Sequence, residues 1–178
     1  MASVIKNVAH KWNLSQHENF VFGRINDIFV NLTFVKNVRE NVNNTQLDYS
    51  KLAGVNLFEA LIQPKYESVS VGVYVTKKGE IDIQEMSDFL DTQYESFRTS
   101  LPIYVNGHFE ITLYQRDAVN VKAWYVNDFL QALSEFLNER GYSSGCQKCR
   151  SNDNLSQVYI AGKATEICEN CRLKEAKL

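Results

Sequence analysis

The chain lacks any run of about 18 apolar residues, so we expect no helix within its 178 residues to span a bilayer. Its first residues contain no uninterrupted apolar block of the kind that a secretory signal carries. It also lacks the glycine-rich loops that cradle phosphates and the G-x-S-x-G turn of serine hydrolases. These absences predict a cytoplasmic protein and leave enzymatic activity without support from any motif.

Histidine and excess positive charge are also scarce. The three histidines, His10, His17 and His108, belong to no catalytic or metalloprotease motif. The formal net charge of −2 argues against a generally basic nucleic-acid binder. The last 34 residues carry a net charge of +2, which one zinc ion bound to four thiolates would bring to about zero. We therefore predict no catalytic histidine and no basic patch in the tail.

All four cysteines lie near the C-terminus, at Cys146, Cys149, Cys168 and Cys171, in the pattern C-x2-C-x18-C-x2-C. This spacing is typical of a structural zinc site, in which four thiolates complete a tetrahedral shell. Two disulfides would conflict with the predicted reducing compartment. A redox C-x-x-C needs one such motif on a thioredoxin-like framework, which the sequence does not indicate. We predict one structural Zn²⁺ held by these four residues.

The segment between the cysteine pairs reads as a hairpin. Gln157–Ile160 and Ala164–Ile167 favour strands, with Ala161-Gly162 as the turn. Residues 145–173 therefore resemble the four-cysteine zinc ribbon class, and the resemblance implies two metal-binding knuckles around a structural ion. Many zinc ribbons carry glycine directly after a knuckle, and here Arg150 and Arg172 occupy those positions.

Hydrophobic periodicity predicts the elements of the preceding part. A first helix is capped by Ser3 and carries an apolar stripe of Ile5, Val8, Ala9 and Trp12. Strands are predicted at 20–25, 28–35 and 69–76, with a loop at 36–45. A helix at 82–97 has Phe97 on its inner face, and a hairpin at 103–114 turns at Asn106-Gly107. The last helix of this part spans 122–140 and is ended by Gly141.

The sequence also predicts the structure of two connecting segments. Residues 47–62 favour a short helix, with Asn56 and Glu59 as a capping pair, or alternatively an edge strand. Ser143-Ser144-Gly145 is expected to be a short hinge. The hinge would separate an α+β domain at 1–142 from the zinc ribbon at 145–178.

The predicted fold is α+β: an antiparallel sheet with flanking helices in the order α-βββ-α-ββ-α, followed by the zinc ribbon. This order resembles the secretion-chaperone-like fold of small bacterial chaperones and adaptor domains. The resemblance implies a dimerising domain that binds peptides or proteins without catalysis.

Two surfaces have a functional and a structural interpretation. The acidic residues of the stretch 80–97 could form a docking face for a basic partner, but a solvated face is favoured. Six aromatics could form a stacking platform for single-stranded nucleic acid, although a role in the core is favoured: Tyr74, Tyr104, Phe109, Tyr114, Trp124 and Tyr125.

The leading hypothesis is a non-enzymatic protein-binding or regulatory module with a structural zinc site. Its partner is another protein, with a homodimer as one option. One alternative is nucleic-acid binding through the ribbon, using Lys148, Arg150, Lys163, Arg172 and Lys174 on phosphates. Another is the soluble cytosolic head of a membrane protein.

Overall fold

The computed structural model describes residues 1–38, 66–75, 82–105, 108–114, 120–160 and 163–175. Within them the chain forms four helices, a seven-stranded antiparallel sheet and a separate two-stranded hairpin. In chain order the elements are α1 (Ala2–Trp12), β1 (Ser15–His17), β2 (Phe20–Ile25), β3 (Ile28–Val38), β4 (Tyr66–Tyr74), α2 (Ile83–Thr92), β5 (Arg98–Thr99), β6 (Ile103–Val105), β7 (His108–Tyr114), α3 (Ala123–Glu139), β8 (Leu155–Ile160), β9 (Lys163–Cys168) and α4 (Glu169–Glu175).

The large sheet has the strand order β1-β2-β3-β4-β7-β5, and β6 also pairs with β7. The mixed helix and antiparallel-sheet class predicted from the sequence is confirmed. The short strands β1 and β5 were not predicted, because two or three residues carry no detectable alternation. The predicted start of the loop at residue 36 is too early, because β3 continues to Val38. Predictions for 47–62, Asn106-Gly107 and Ala161-Gly162 lie outside the described residues.

One face of the sheet carries the main core. Alternate side chains of the central strands point to the same side, where the helices α1, α2 and α3 cover them. The fully buried members of this sheet face include Ile28, Leu32, Val69, Val71, Val73, Phe109, Ile111 and Leu113. Because successive residues of a strand alternate, the intervening positions must lie on the opposite face of the sheet.

The helices follow the predicted apolar stripes with two corrections. The helix α1 begins at Ala2 without a side-chain cap, so the predicted Ser3 cap is wrong. The helix α2 ends at Thr92, but Phe97 beyond it is still buried and packs against Tyr125 and Phe129. None of the described helices is both long and apolar enough to cross a membrane.

The end of α3 shows why its terminating glycine is needed. Gly141 has a φ of 70°, in the left-handed region that L side chains rarely adopt. This turn lets the Tyr142 amide donate to the carbonyl of Leu137 at 2.9 Å. The predicted glycine cap is therefore confirmed, and it redirects the chain toward the cysteine segment.

Two acidic residues at the start of α2, Asp82 and Glu85, have roles inside the chain. The Asp82 carboxylate caps the helix by accepting from the amides of Gln84 and Glu85 at 2.8 and 3.3 Å. The Glu85 carboxylate accepts from the Tyr142 hydroxyl at 3.0 Å. These contacts explain the presence of two of the acids without requiring a docked partner.

Three of the six aromatic residues noted above lie in the core, as predicted. Phe109 and Tyr125 are buried on the helix side, and Tyr74 is 9% exposed on the opposite face of the sheet. Trp124 is 59% exposed and Tyr104 is 37% exposed, so these two do not belong to the core.

The predicted hinge contains a buried, fully bonded residue. Ser144 is 1% exposed, and its hydroxyl accepts from the Phe29 amide at 2.6 Å and donates to the carbonyl of Tyr74. Its own amide donates to the carbonyl of Asp27 at 3.2 Å. These hydrogen bonds attach the predicted hinge to β3 and β4 at Ser144.

We expect Ser144→Ala to lower the free energy of unfolding by about 1–3 kcal/mol, because a buried amide and a buried carbonyl both lose their hydroxyl partner. Urea unfolding of the two proteins measures the difference. Ser15→Ala, at an exposed position of β1, is the matched control and should change stability by less than about 0.5 kcal/mol. Equal effects of the two substitutions would contradict the described role of Ser144.

Candidate metal centre

The structure brings all four predicted ligands together. The Sγ atoms of Cys146, Cys149, Cys168 and Cys171 lie within 4.8 Å of one another, and no disulfide joins them. The shortest described separation is 3.5 Å, between Cys149 and Cys168. A tetrahedral ion with metal–sulfur bonds of about 2.3 Å requires sulfur–sulfur separations of about 3.8 Å. The cluster therefore fits a single ion held by four sulfurs.

The first cysteine pair lies on a tight turn. The Arg150 amide donates to the carbonyl of Cys146 at 2.7 Å, and the Cys146 amide donates to the carbonyl of Ser151 at 2.7 Å. Gly145 precedes the turn at a close backbone approach. A Cβ atom there would lie 2.8 Å from the Arg150 carbonyl oxygen and 3.0 Å from that of Ser151. This position accordingly requires glycine.

The second cysteine pair does not form a knuckle, so the expected pair of knuckles is wrong. Cys168 is the last residue of β9, and Cys171 lies in the first turn of α4. Cys171 follows Cys168 by three residues, which is about one turn of the helix that begins between them. This spacing brings both sulfurs to the same side, within reach of one ion. The hairpin places Cys168 beside Leu155, opposite the start of β8.

Backbone amides favour a thiolate at Cys146. Burial raises the pKa of its thiol, but hydrogen bonds from the amides of Cys168, Cys149 and Lys148 outweigh burial and lower the pKa to about 6. At Cys171 the hydrogen bond with Cys149 is the largest cause of a pKa raised to about 12. The first thiol thus ionises readily, whereas a cluster of four thiolates requires a cation to offset their charge.

A bidentate ion pair fastens the metal-bearing hairpin to the sheet. Glu166 of β9 is 1% exposed, and its two carboxylate oxygens accept from Nε and Nη2 of Arg24 at 2.6 and 2.8 Å. The same Nη2 also donates to the carbonyl of Ser144 at 3.0 Å. The hydrogen bond with Glu166 is the main reason that the pKa of Arg24 is raised. A buried carboxylate without this partner would be costly.

Aromatic packing extends the same contact. Tyr159 of β8 stacks on His17 with ring centroids 4.6 Å apart, and it also meets Phe20 and Phe22 of β2. Ala164 of β9 packs into a small cluster with Phe22, Phe29 and Tyr74. The hairpin therefore covers part of the sheet face that the helices leave open.

The pairing of Arg24 with Glu166 was not predicted, since the two residues lie 142 positions apart in the chain. The available signal was Arg24 itself, the one charge in the apolar strand Phe20–Ile25. The histidines are apart from the cysteines: His17 stacks on Tyr159, and His108 stacks on Tyr74. Within the described ranges, the four cysteines are the one group of three or more side chains placed to hold an ion.

Comparisons with known proteins give no relative. No protein-family model matches the chain, and no curated protein or solved structure is detectably similar to it. The site and the fold must therefore be interpreted from their own geometry.

Arg150 and Arg172 give a matched test of the two halves of the site. Arg150 has a φ of 63°, which costs a non-glycine residue about 1–2 kcal/mol, whereas Arg172 lies inside α4. We expect Arg150→Gly to raise the free energy of unfolding by roughly 0.5 kcal/mol, because the relief of left-handed strain exceeds the entropy that glycine adds to the unfolded chain. Arg172→Gly should lower the free energy of unfolding by about 1 kcal/mol, because glycine is a poor helix former.

Both substitutions remove one positive charge, so a difference between them reports backbone conformation. Thermal unfolding of the metal-loaded protein measures it. A loss of stability in both variants would contradict the left-handed geometry at Arg150.

Proposed function

We propose that this protein is a non-enzymatic protein-binding or regulatory module whose Zn²⁺ site is structural. The observation that carries the proposal is the closed cluster of four cysteine sulfurs within 4.8 Å. A shell in which the protein supplies all four ligands leaves no coordination position for a substrate, as in structural zinc sites generally. The ion would hold the β8–β9 hairpin and α4 together.

The donor set supports zinc as the metal. Four thiolates in a tetrahedral arrangement suit zinc or an iron centre, whereas calcium and magnesium prefer oxygen ligands. The segment beyond residue 145 has few buried apolar side chains of its own, mainly Ile167 with Leu155 and Val158 beside it. Metal binding would supply the stability that so small a core does not.

The surface supports a role in binding another protein. Ile103, the first residue of the short edge strand β6, is 57% exposed, and Leu101 just before the strand is 75% exposed. Trp124, on the helix α3, is 59% exposed. Large apolar side chains left in water near a sheet edge are typical of contact sites. A second copy of the chain is one such partner. Because thiolate ligands must stay reduced, the proposal includes a reducing compartment such as the cytoplasm.

The metal part of the proposal is tested by elemental analysis. We expect about one zinc per chain in the wild-type protein. Cys149→Ser should lose most of its zinc, because three thiolates cannot complete the shell. The backbone amides of residues 145–175 should also lose their protection against hydrogen exchange. Asn170→Ser, an exposed change between the ligands of the second pair, is the control and should retain both.

A metal-free wild-type protein with an ordered hairpin would overturn the structural role. For the binding role, the zinc-loaded protein should retain a protein partner from its native host at 150 mM salt. Binding to RNA or DNA that weakens steeply with salt would instead favour the nucleic-acid alternative.

A further inference from the structure

The part of the second sheet face that the hairpin does not cover contains a small cavity. Its volume is about 160 Å³, and its floor and walls come from the central strands β3, β4 and β7. Its lining residues include Asn31, Ser70, Gly72, Tyr74, His108 and Glu110. Phe20 of β2 closes the side nearest the hairpin, where it contacts Tyr159.

Gly72 contributes no side chain to the cavity that it lines. Gly72 pairs with Asn31 on one side and with Glu110 on the other, so it lies between them in the register. Its backbone does not require glycine: a Cβ atom would make only ordinary contacts, the nearest at 3.5 Å from Cβ of Asn31. Glycine inside a strand weakens the strand and often marks the close approach of a ligand.

Two hydrogen-bond acceptors, on Asn31 and Glu110, lie on either side of Gly72. Asn31 is 8% exposed, and its Oδ1 has no hydrogen-bond partner within the described part of the chain. The Glu110 carboxylate accepts from the Ser70 hydroxyl at 3.0 Å and retains further acceptor capacity. Arg24, on the same face, is already paired with Glu166. A buried acceptor without a partner costs free energy unless a ligand donates to it.

Aromatic rings supply the remaining walls. Tyr74 stacks on His108 with centroids 4.9 Å apart, and Phe20 lies on the other side of the cavity. Burial raises the pKa of Tyr74, although a hydrogen bond with Asn31 opposes the effect. Aromatic faces beside a carboxylate suit a planar cation that donates several hydrogen bonds. The volume suits one side-chain head better than a whole cofactor, since cofactor sites span about 300–1,000 Å³.

We infer that this cavity binds the guanidinium group of an arginine side chain presented by the protein partner, with the Glu110 carboxylate as the charged acceptor and the side-chain amide of Asn31 beside it. The inference rests on the proposed protein-binding function and names the chemistry that such a partner presents. Asn31 and Glu110 lie on either side of Gly72 in the strand register, and a guanidinium group can donate several hydrogen bonds at once.

The experiment is an NMR titration of the zinc-loaded full chain with N-acetyl-arginine-N-methylamide. We expect saturable shifts at Gly72, at Ser70 and at the side-chain amide of Asn31. N-acetyl-citrulline-N-methylamide has nearly the same shape without the charge, and it should bind at least about tenfold more weakly. No shifts at these positions, or equal binding of the citrulline compound, would overturn the inference.

Two variants locate the binding. Gly72→Ala fills the gap, so it should weaken binding of the arginine compound at least about tenfold without lowering the melting temperature. Glu110→Gln removes only the charge at an exposed position and should weaken binding severalfold. Thr112→Ala, on the same strand face but outside the cavity lining, should leave binding unchanged. Unchanged binding in both Gly72→Ala and Glu110→Gln would refute the site.

The two proposals can fail separately. A host protein that binds wild type, Gly72→Ala and Glu110→Gln equally well would retain the protein-binding function and reject the arginine site. Weaker capture of that protein by both variants, with full capture by Thr112→Ala, would support the site in its proposed role.

Discussion

A buried ion pair between Arg24 and Glu166 joins the metal-bearing hairpin to the sheet. Glu166 is almost fully buried, and an unpaired carboxylate there would cost several kcal/mol. Two parallel hydrogen bonds from the guanidinium fix both its position and its orientation. Since Arg24 also bonds the carbonyl of Ser144, the pair and the connecting segment form one network. The position of the cysteine cluster relative to the sheet depends on this network.

The two faces of the sheet differ in what covers them. The helices cover one face with a continuous apolar core, whereas the hairpin covers only the part of the other face nearest β2. Ala164 and Tyr159 meet the aromatic side chains there. Beyond them lie the uncovered polar positions around Gly72. If the metal holds the hairpin in place, it also maintains one edge of the cavity through the contact of Tyr159 with Phe20.

The proposed functions divide between these two regions. The four sulfurs lie close enough together to bind one stabilising ion. The cavity is lined by Glu110 and by Asn31, whose buried Oδ1 has no hydrogen-bond partner among the described residues. Catalysis has no role in this proposal, and the closed thiolate shell supports that choice. Recognition is assigned to the sheet face, whose missing side chain at Gly72 leaves room for a donor from outside.

The sequence by itself determined the local features: the cysteine spacing, the apolar stripes of α1 and α3, and the glycine that ends α3. These depend on residues a few positions apart, so periodicity and turn chemistry reveal them. Only the tertiary structure decided that Cys171 lies in a helix, that Ser144 is buried, and that Arg24 meets Glu166. Those features depend on which segments, far apart in the sequence, pack against each other. A charged group or a hydroxyl is buried at low cost only where a hydrogen-bonding partner is buried beside it.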